Sequence, residues 1–213
     1  MFMIKEHKRY PMKNLYIFLL IVILLVLAIS PVQGQSLTSF ENFELQRQDI
    51  NRSAMLVLGG WAVGNMLTGT YGHFNTTGQA REFHQFNFMW NVVNLGIATY
   101  GYMEAAGASP EGMGHVDVLK EYVSLQNILL LNVGLNVTYM TAGFYLRERA
   151  KNVTSYHDRL RGYGNSLLLQ GGFLLAFDVS LFFIHRNHAA LHLYPQLESL
   201  ASGGVGLGLV WQF

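Results

Sequence analysis

The chain has 213 residues, of which 51% are hydrophobic and only 13% are charged. Soluble domains carry about 25% charged residues, so this composition indicates a membrane environment and a single folded unit. A net charge of +1 provides no basic surface for nucleic acid, and the absence of cysteine excludes disulfides, thiolate metal sites and cysteine nucleophiles.

The N-terminus is typical of a secretory signal peptide. A basic segment at residues 5–13 precedes an apolar run at residues 15–29, and small residues follow at 30–34. This order predicts a signal peptide over residues 1–34 that is cleaved after Gly34, with an uncleaved membrane anchor as the alternative. Residues 35–53 would then form an extracytoplasmic segment at the start of the mature chain.

Four further stretches contain one charged residue at most. Each can supply about 17–25 residues, enough to cross a hydrocarbon core of ~30 Å as a helix. Apolar runs at 128–131 and 167–169 break the alternation that barrel strands require, so helices are favoured over strands. The sequence therefore predicts an all-α fold, a four-helix transmembrane bundle within residues 54–189. Its predicted spans are 54–74, 86–102, 125–146 and 162–184.

The basic residues predict the orientation of these spans. The connection between the third and fourth spans holds five of them, whereas the connection between the second and third holds only Lys120. The positive-inside rule places the former in the cytoplasm and both mature termini outside. We therefore expect a bacterial cytoplasmic (inner) membrane protein with an extracytoplasmic tail at 190–213. The end of that tail alternates like a barrel strand, so an outer-membrane location is the alternative.

Polar side chains recur inside the predicted spans. Asn87, Asn91 and Asn94 are spaced i, i+4 and i+7, so they form one stripe on a helix, with His84 one turn earlier. An unpaired amide in lipid costs several kcal/mol, so we expect these groups to face one another inside the bundle. The full set of seam or site candidates is Trp61, Asn65, His84, Asn87, Asn91, Asn94, Asn132, Asn136 and Asp178.

Two functional classes fit these residues. The first is a structural, interaction or accessory module whose helices assemble through asparagines and glycines, with the bilayer and a second copy or a membrane protein as partners. The second is a small transporter or channel-like component in which Asp178 and the asparagine stripe line a polar path. An enzyme ranks third, because no catalytic constellation is visible. The glycines expected at helix contacts are Gly60, Gly64, Gly171 and Gly172.

Three histidines form a further candidate site. In "HRNHAALH", His185, His188 and His192 fall at i, i+3 and i+7, so three imidazoles on one helix face could hold zinc or copper. No carboxylate lies nearby as a supporting partner, which favours capping or interfacial roles instead. Nucleotide-binding and hydrolase motifs are also missing, so no cofactor is expected.

Three segments resemble a family of functionally uncharacterised bacterial proteins. They are "GGWAVGN" (59–65), "FHQFNFMWNVVN" (83–94) and "LLLQGGFLLAFD" (167–178), and the likeness covers about residues 40–185. The resemblance implies a signal peptide followed by several membrane helices, and it assigns no activity. It also implies a shared FHQxNxxWNxxN pattern and a shared aspartate, which here are His84, Gln85, Asn87, Trp90, Asn91, Asn94 and Asp178.

Overall fold

The structure is a computed structural model that describes residues 39–203. This part of the chain contains five helices and no strand: α1 (Ser39–Asn75), α2 (Gly78–Gly107), α3 (His115–Ala150), α4 (His157–His192) and the short α5 (Tyr194–Gly203). The predicted all-α fold is therefore confirmed. The predicted signal peptide and the alternating end of the tail lie outside the described residues.

Each of the four long helices contains one predicted span and extends beyond it. Helix α1 has 37 residues, which corresponds to about 55 Å at 1.5 Å per residue, well over the ~30 Å of a hydrocarbon core. Residues 39–53, which we expected as a separate segment, continue α1. The surplus length of α1, α3 and α4 lies mainly at one end of the molecule, where it forms a polar region.

Fewer helices of the described chain meet the length and hydropathy expected of a membrane span than the sequence analysis predicts. Two helical segments of the described chain are long and apolar enough to cross a membrane, with mean hydropathy 1.3 and 2.0. They are His115–Ala150 and His157–Ser202. Helices α1 and α2 have the required length but a lower apolar content, because they carry most of the asparagine stripe and a polar end.

The long helices form two antiparallel hairpins, α1–α2 and α3–α4. The hairpins join through α2 and α4, which run parallel to each other. At this joint a Cβ atom on Gly162 would lie 2.7 Å from the carbonyl oxygen of Gln79. Helices α2 and α3 scarcely touch, and this gap leaves a cleft between the two hairpins.

Glycines allow the helix backbones to approach closely at these contacts. These glycines are not the Gly60 and Gly64 pair that the sequence suggested. A Cβ on Gly164 would lie 2.7 Å from the carbonyl oxygen of Gly143, so α3 and α4 meet through glycine. Gly171 has a similar close contact, with Met140, as expected. The expectation for Gly60 and Gly64 is wrong, and so is that for Gly172, because a Cβ on these residues would meet nothing within 4 Å.

The physical reason is the helix face on which these glycines lie. Helix α1 buries Ala54, Leu58, Trp61 and Asn65 against its neighbours, at helical spacing. Gly60 and Gly64 fall on the opposite face, beside exposed apolar side chains. A GxxxG spacing identifies a face suited to close packing, but it does not say whether the partner helix belongs to the same chain.

Apolar side chains form a core between the helices and also cover much of their outer surface. Among the described residues, fourteen polar or charged side chains are buried, while large apolar side chains cover the outside. Leu67, Leu131 and Val93 are more than 60% exposed, whereas Asn91 and Gln170 are 0% exposed. Contiguous exposed apolar surface of this kind marks contact with a membrane or with other proteins.

Charged residues lie in two groups at opposite ends of the long helices. Between residues 39 and 203, one end holds four Lys or Arg against eight Asp or Glu, and the other end holds six Lys or Arg against three Asp or Glu. Asp178 is the one charged residue of the described chain between the two groups. The basic end contains the α1–α2 and α3–α4 connections, and the acidic end contains the α2–α3 connection.

Candidate functional site

A buried amide network joins α1, α2 and α4 at Gln170. The indole Nε1 of Trp61 donates a hydrogen bond to Gln170 Oε1 at 2.8 Å, and Gln170 Nε2 donates to Asn87 Oδ1. Asn87 Nδ2 in turn donates to Asn65 Oδ1 at 2.9 Å. The Trp61 ring also stacks on Phe173, with ring centroids 3.7 Å apart. Three helices are thus held in one register.

The remaining stripe asparagines extend this network along α2. Asn91 Nδ2 donates to the backbone oxygen of Asn87 at 2.7 Å, and Asn94 Nδ2 donates to Asn91 Oδ1 at 3.3 Å. Asn65 Nδ2 closes the network on α1 by donating to the backbone oxygen of Trp61 at 2.8 Å. The structure therefore brings five of the sequence candidates together, and all five are buried.

Gln170 was missed by the sequence analysis although it is the hub of the network. It is fully buried and bonds to both α1 and α2. A signal was present, because Gln170 is an amide within the most apolar predicted span. The rule that singled out the asparagines applies to it equally.

A second polar pair lies on α3 and α4, apart from the amide network. Asn136 Nδ2 donates to Asp178 Oδ2 at 2.6 Å, and Asn132 lies beside the same carboxylate. Asp178 is 5% exposed and Asn136 is 3% exposed. This hydrogen bond joins α3 to α4 within the buried part of the hairpin.

A cleft between α2 and α3 lies beside these groups. It has a volume of about 720 Å³, and residues of α1 and α4 form its floor. Trp90 and Tyr139 meet edge to face at its inner end, with ring centroids 4.8 Å apart. Asp178 and Asn136 contribute to its wall.

The outer end of the cleft contains a buried ion pair that the sequence analysis did not anticipate. Arg47 Nε donates to Glu44 Oε2 at 2.7 Å, and Gln48 Nε2 donates to Glu44 Oε1 at 3.0 Å. Glu121 approaches the same guanidinium to 3.9 Å. Breaking such a pair leaves an uncompensated buried charge, so these groups stabilise the polar end only as a set.

The histidines of α4 have separate partners at this polar end. His185 Nε2 shares a hydrogen bond with Asn51 Oδ1 at 2.9 Å, while the His188 ring stacks on Phe43 with centroids 4.6 Å apart. His192 is exposed. The described residues contain no group of three His, Cys, Asp or Glu side chains placed to hold a metal ion. The predicted histidine face thus serves helix packing in this structure.

His84 lies at the opposite end, before the second predicted span. Its ring occupies the space that a Cβ on Gly72 would need, so the α1–α2 hairpin closes over it. Burial lowers the pKa of His84 below its usual value, and the nearby His73 lowers this pKa further. His84 therefore packs against α1 at Gly72, one turn before the asparagine stripe.

Replacing Gln170 by Met keeps the side-chain length and removes the amide group. The hydrogen bonds from Trp61 Nε1 and to Asn87 Oδ1 are then lost, and we expect the free energy of unfolding to fall by about 2 kcal/mol. Denaturant titration of the purified protein in detergent, followed by circular dichroism, measures this change. The control is Asn127→Met, at an exposed amide of α3 outside the network. Equal effects of the two substitutions would contradict the role given to Gln170.

Comparison with known proteins gives one match. The model of a family of unknown function, DUF6992, matches residues 57–179, which include the amide network and Asp178. Curated proteins and solved structures gave no match. The resemblance to an uncharacterised family is thereby confirmed. Since the match covers more than half of the chain, this protein belongs to the DUF6992 family of unknown function.

Proposed function

We propose that this protein is an integral membrane protein in which α1 to α4 cross the bilayer and act as a structural or interaction module. The exposed apolar surface of the helices, together with the amides buried between them, is the observation that carries this proposal. Buried amides and exposed Leu, Ile, Val and Phe side chains are stable when lipid surrounds the helices, because lipid solvates the apolar exterior and the amides pair internally. In water the same surface would drive aggregation.

The two charged groups support a transmembrane orientation. They are separated on each long helix by at least 21 residues that hold no Lys, Arg or Glu, about the length that crosses a hydrocarbon core. The net basic end corresponds to the cytoplasmic side under the positive-inside rule, and the net acidic end lies outside. This supports residence in a bacterial cytoplasmic membrane with both mature termini outside.

An unused packing face on α1 supports lateral assembly. Gly60 and Gly64 are exposed and meet nothing within 4 Å, and Leu56 and Val63 flank them. Small residues spaced four apart allow two membrane helices to approach closely. We infer that this face binds the same face of a second copy, which gives a symmetric dimer.

Transport is the second candidate, and the position of Asp178 favours it. Its carboxylate contributes to the wall of the cleft, and intramembrane carboxylates commonly serve ion or proton pathways. Against this, the amide network below the cleft is almost completely buried, so the described residues offer no continuous polar path past Asn91. The cleft thus resembles a laterally open pocket more than a channel.

Single cysteines in two connections test the membrane topology. We expect Ser109→Cys, in the α2–α3 connection, to react with a membrane-impermeant thiol reagent only from outside the cell. Ser155→Cys, in the α3–α4 connection, should react only in inside-out vesicles. The chain has no native cysteine, so each label reports one site. Leu131→Cys, on the apolar surface of α3, serves as the protected control. Labelling of both connections from one side would refute the proposed topology.

Oxidative crosslinking tests the dimer face. Val63→Cys should crosslink two copies in the membrane, because residue 63 lies on the exposed face between the two glycines. Adding Gly60→Leu and Gly64→Leu should weaken association about tenfold, or about 1.4 kcal/mol, by holding the backbones apart. The control is Gly96→Leu on α2, which also meets nothing within 4 Å. Undiminished crosslinking in the Gly60/Gly64 variant would exclude this face.

Polar thiol reagents separate the two candidate functions. We expect Asn132→Cys, in the cleft wall, to react with a small polar reagent added from outside. Asn91→Cys, inside the amide network, should stay protected because residue 91 is fully buried. Rates of labelling in intact vesicles measure the difference. Reaction at both positions at similar rates would favour the transport function over a sealed module.

A further inference from the structure

The α2–α3 cleft has the size and the opening of a ligand site. Its volume of about 720 Å³ falls within the roughly 300–1,000 Å³ typical of small-molecule pockets. Its rim is formed by Val93 and Ile97 of α2 and by Ile128 of α3, each more than half exposed. In the proposed orientation this opening faces sideways, so molecules dissolved in the bilayer can enter it.

The shape of the cleft suits a chain. Along α2 the cleft runs from Trp90 to Glu104, a distance of about 21 Å at 1.5 Å per residue. Leu129, Leu174 and Phe177 line its deeper part. Four polar side chains at that depth are already bonded, through the Asn136–Asp178 and Asn94–Asn91 hydrogen bonds, whereas the Trp90 indole N–H has no partner among the described residues. The deep part therefore presents mainly apolar contacts to an occupant.

The outer mouth of the cleft has the opposite character. Glu44, Glu104 and Glu121 bring three carboxylates to it, and Arg47 brings one guanidinium that is already bonded to Glu44. Gln48 also lines the mouth. It is 2% exposed, and its Oε1 atom accepts no hydrogen bond from any described residue. An excess of negative charge and an open acceptor at one place select for a positively charged N–H donor.

We propose that this cleft binds one amphiphile from the bilayer, with an amine headgroup at the outer mouth and a hydrocarbon chain between α2 and α3. The amine lies near Glu104, Glu121 and the Gln48 Oε1 atom, and the chain contacts the apolar walls below. This inference rests on the proposed membrane location and adds a ligand to it. Lipids with an anionic headgroup and no amine are disfavoured by the carboxylates.

Native mass spectrometry of the full-length protein in detergent tests the site. The protein is mixed with equal amounts of phosphatidylethanolamine and phosphatidylglycerol that carry identical chains. We expect one retained lipid per chain and about a fivefold preference for the amine-bearing lipid, since each exposed ion pair contributes up to ~1 kcal/mol. The double variant Glu104→Gln, Glu121→Gln should bring the preference close to one. Glu111→Gln removes a carboxylate outside the cleft and should leave the preference unchanged.

A steric pair tests the location independently of charge. Ile97→Trp adds bulk within the cleft, whereas Val92→Trp adds the same bulk to a part of α2 that does not line it. We expect Ile97→Trp to abolish lipid retention and Val92→Trp to preserve it. Equal retention of the two lipids by the unmodified protein overturns the proposal, as does equal retention by the two Trp variants. A third outcome would also overturn it. If the unmodified protein forms a dimer without bound lipid, and Ile97→Trp dissociates that dimer, the cleft binds a second copy instead. Because this experiment uses protein in detergent, a negative result for lipid binding would not affect the membrane topology measured by cysteine labelling.

Discussion

The pairing of amides inside an apolar exterior is the constraint on which the rest of this structure depends. Gln170 accepts from Trp61 and donates to Asn87, so one side chain fixes α4 against both helices of the first hairpin. In the membrane that we propose, lipid would offer no alternative partner for these groups, whereas water would compete for them. Any sliding or rotation of a helix would therefore leave a buried amide unpaired, and the network selects one register among many apolar alternatives.

Such hydrogen bonds specify the arrangement more than they stabilise it. Interhelical hydrogen bonds in membranes contribute about 0.6 kcal/mol on average, so close packing must supply much of the remaining stability. Glycine provides it where backbones meet, as at Gly143 and Gly164, and the Trp61–Phe173 stack provides it at the centre of the network. The amides and the glycines thus act together, because short amide side chains reach across only where the helices lie close.

The cleft follows from the way in which the hairpins join. Contact between the parallel helices α2 and α4 places α3 on the far side of α4, which leaves α2 and α3 apart. Large apolar residues cover the walls of the gap, and the polar ends of α1, α2 and α3 bring carboxylates to its mouth. A lateral opening with a charged mouth and an apolar interior is thereby produced by helix order alone, without any irregular backbone.

The sequence by itself determined the helical class, the burial of the asparagine stripe and the family, because these depend on composition, spacing and motif. Only the tertiary structure decided which polar groups meet. It separated Asp178 from the asparagine stripe, and it left Gly60 exposed. It also made Gln170 the hub of the network. Spacing along one helix shows which residues share a face, but the partner of that face depends on how four helices pack at once. That packing is a property of the whole chain and cannot be read from any single segment.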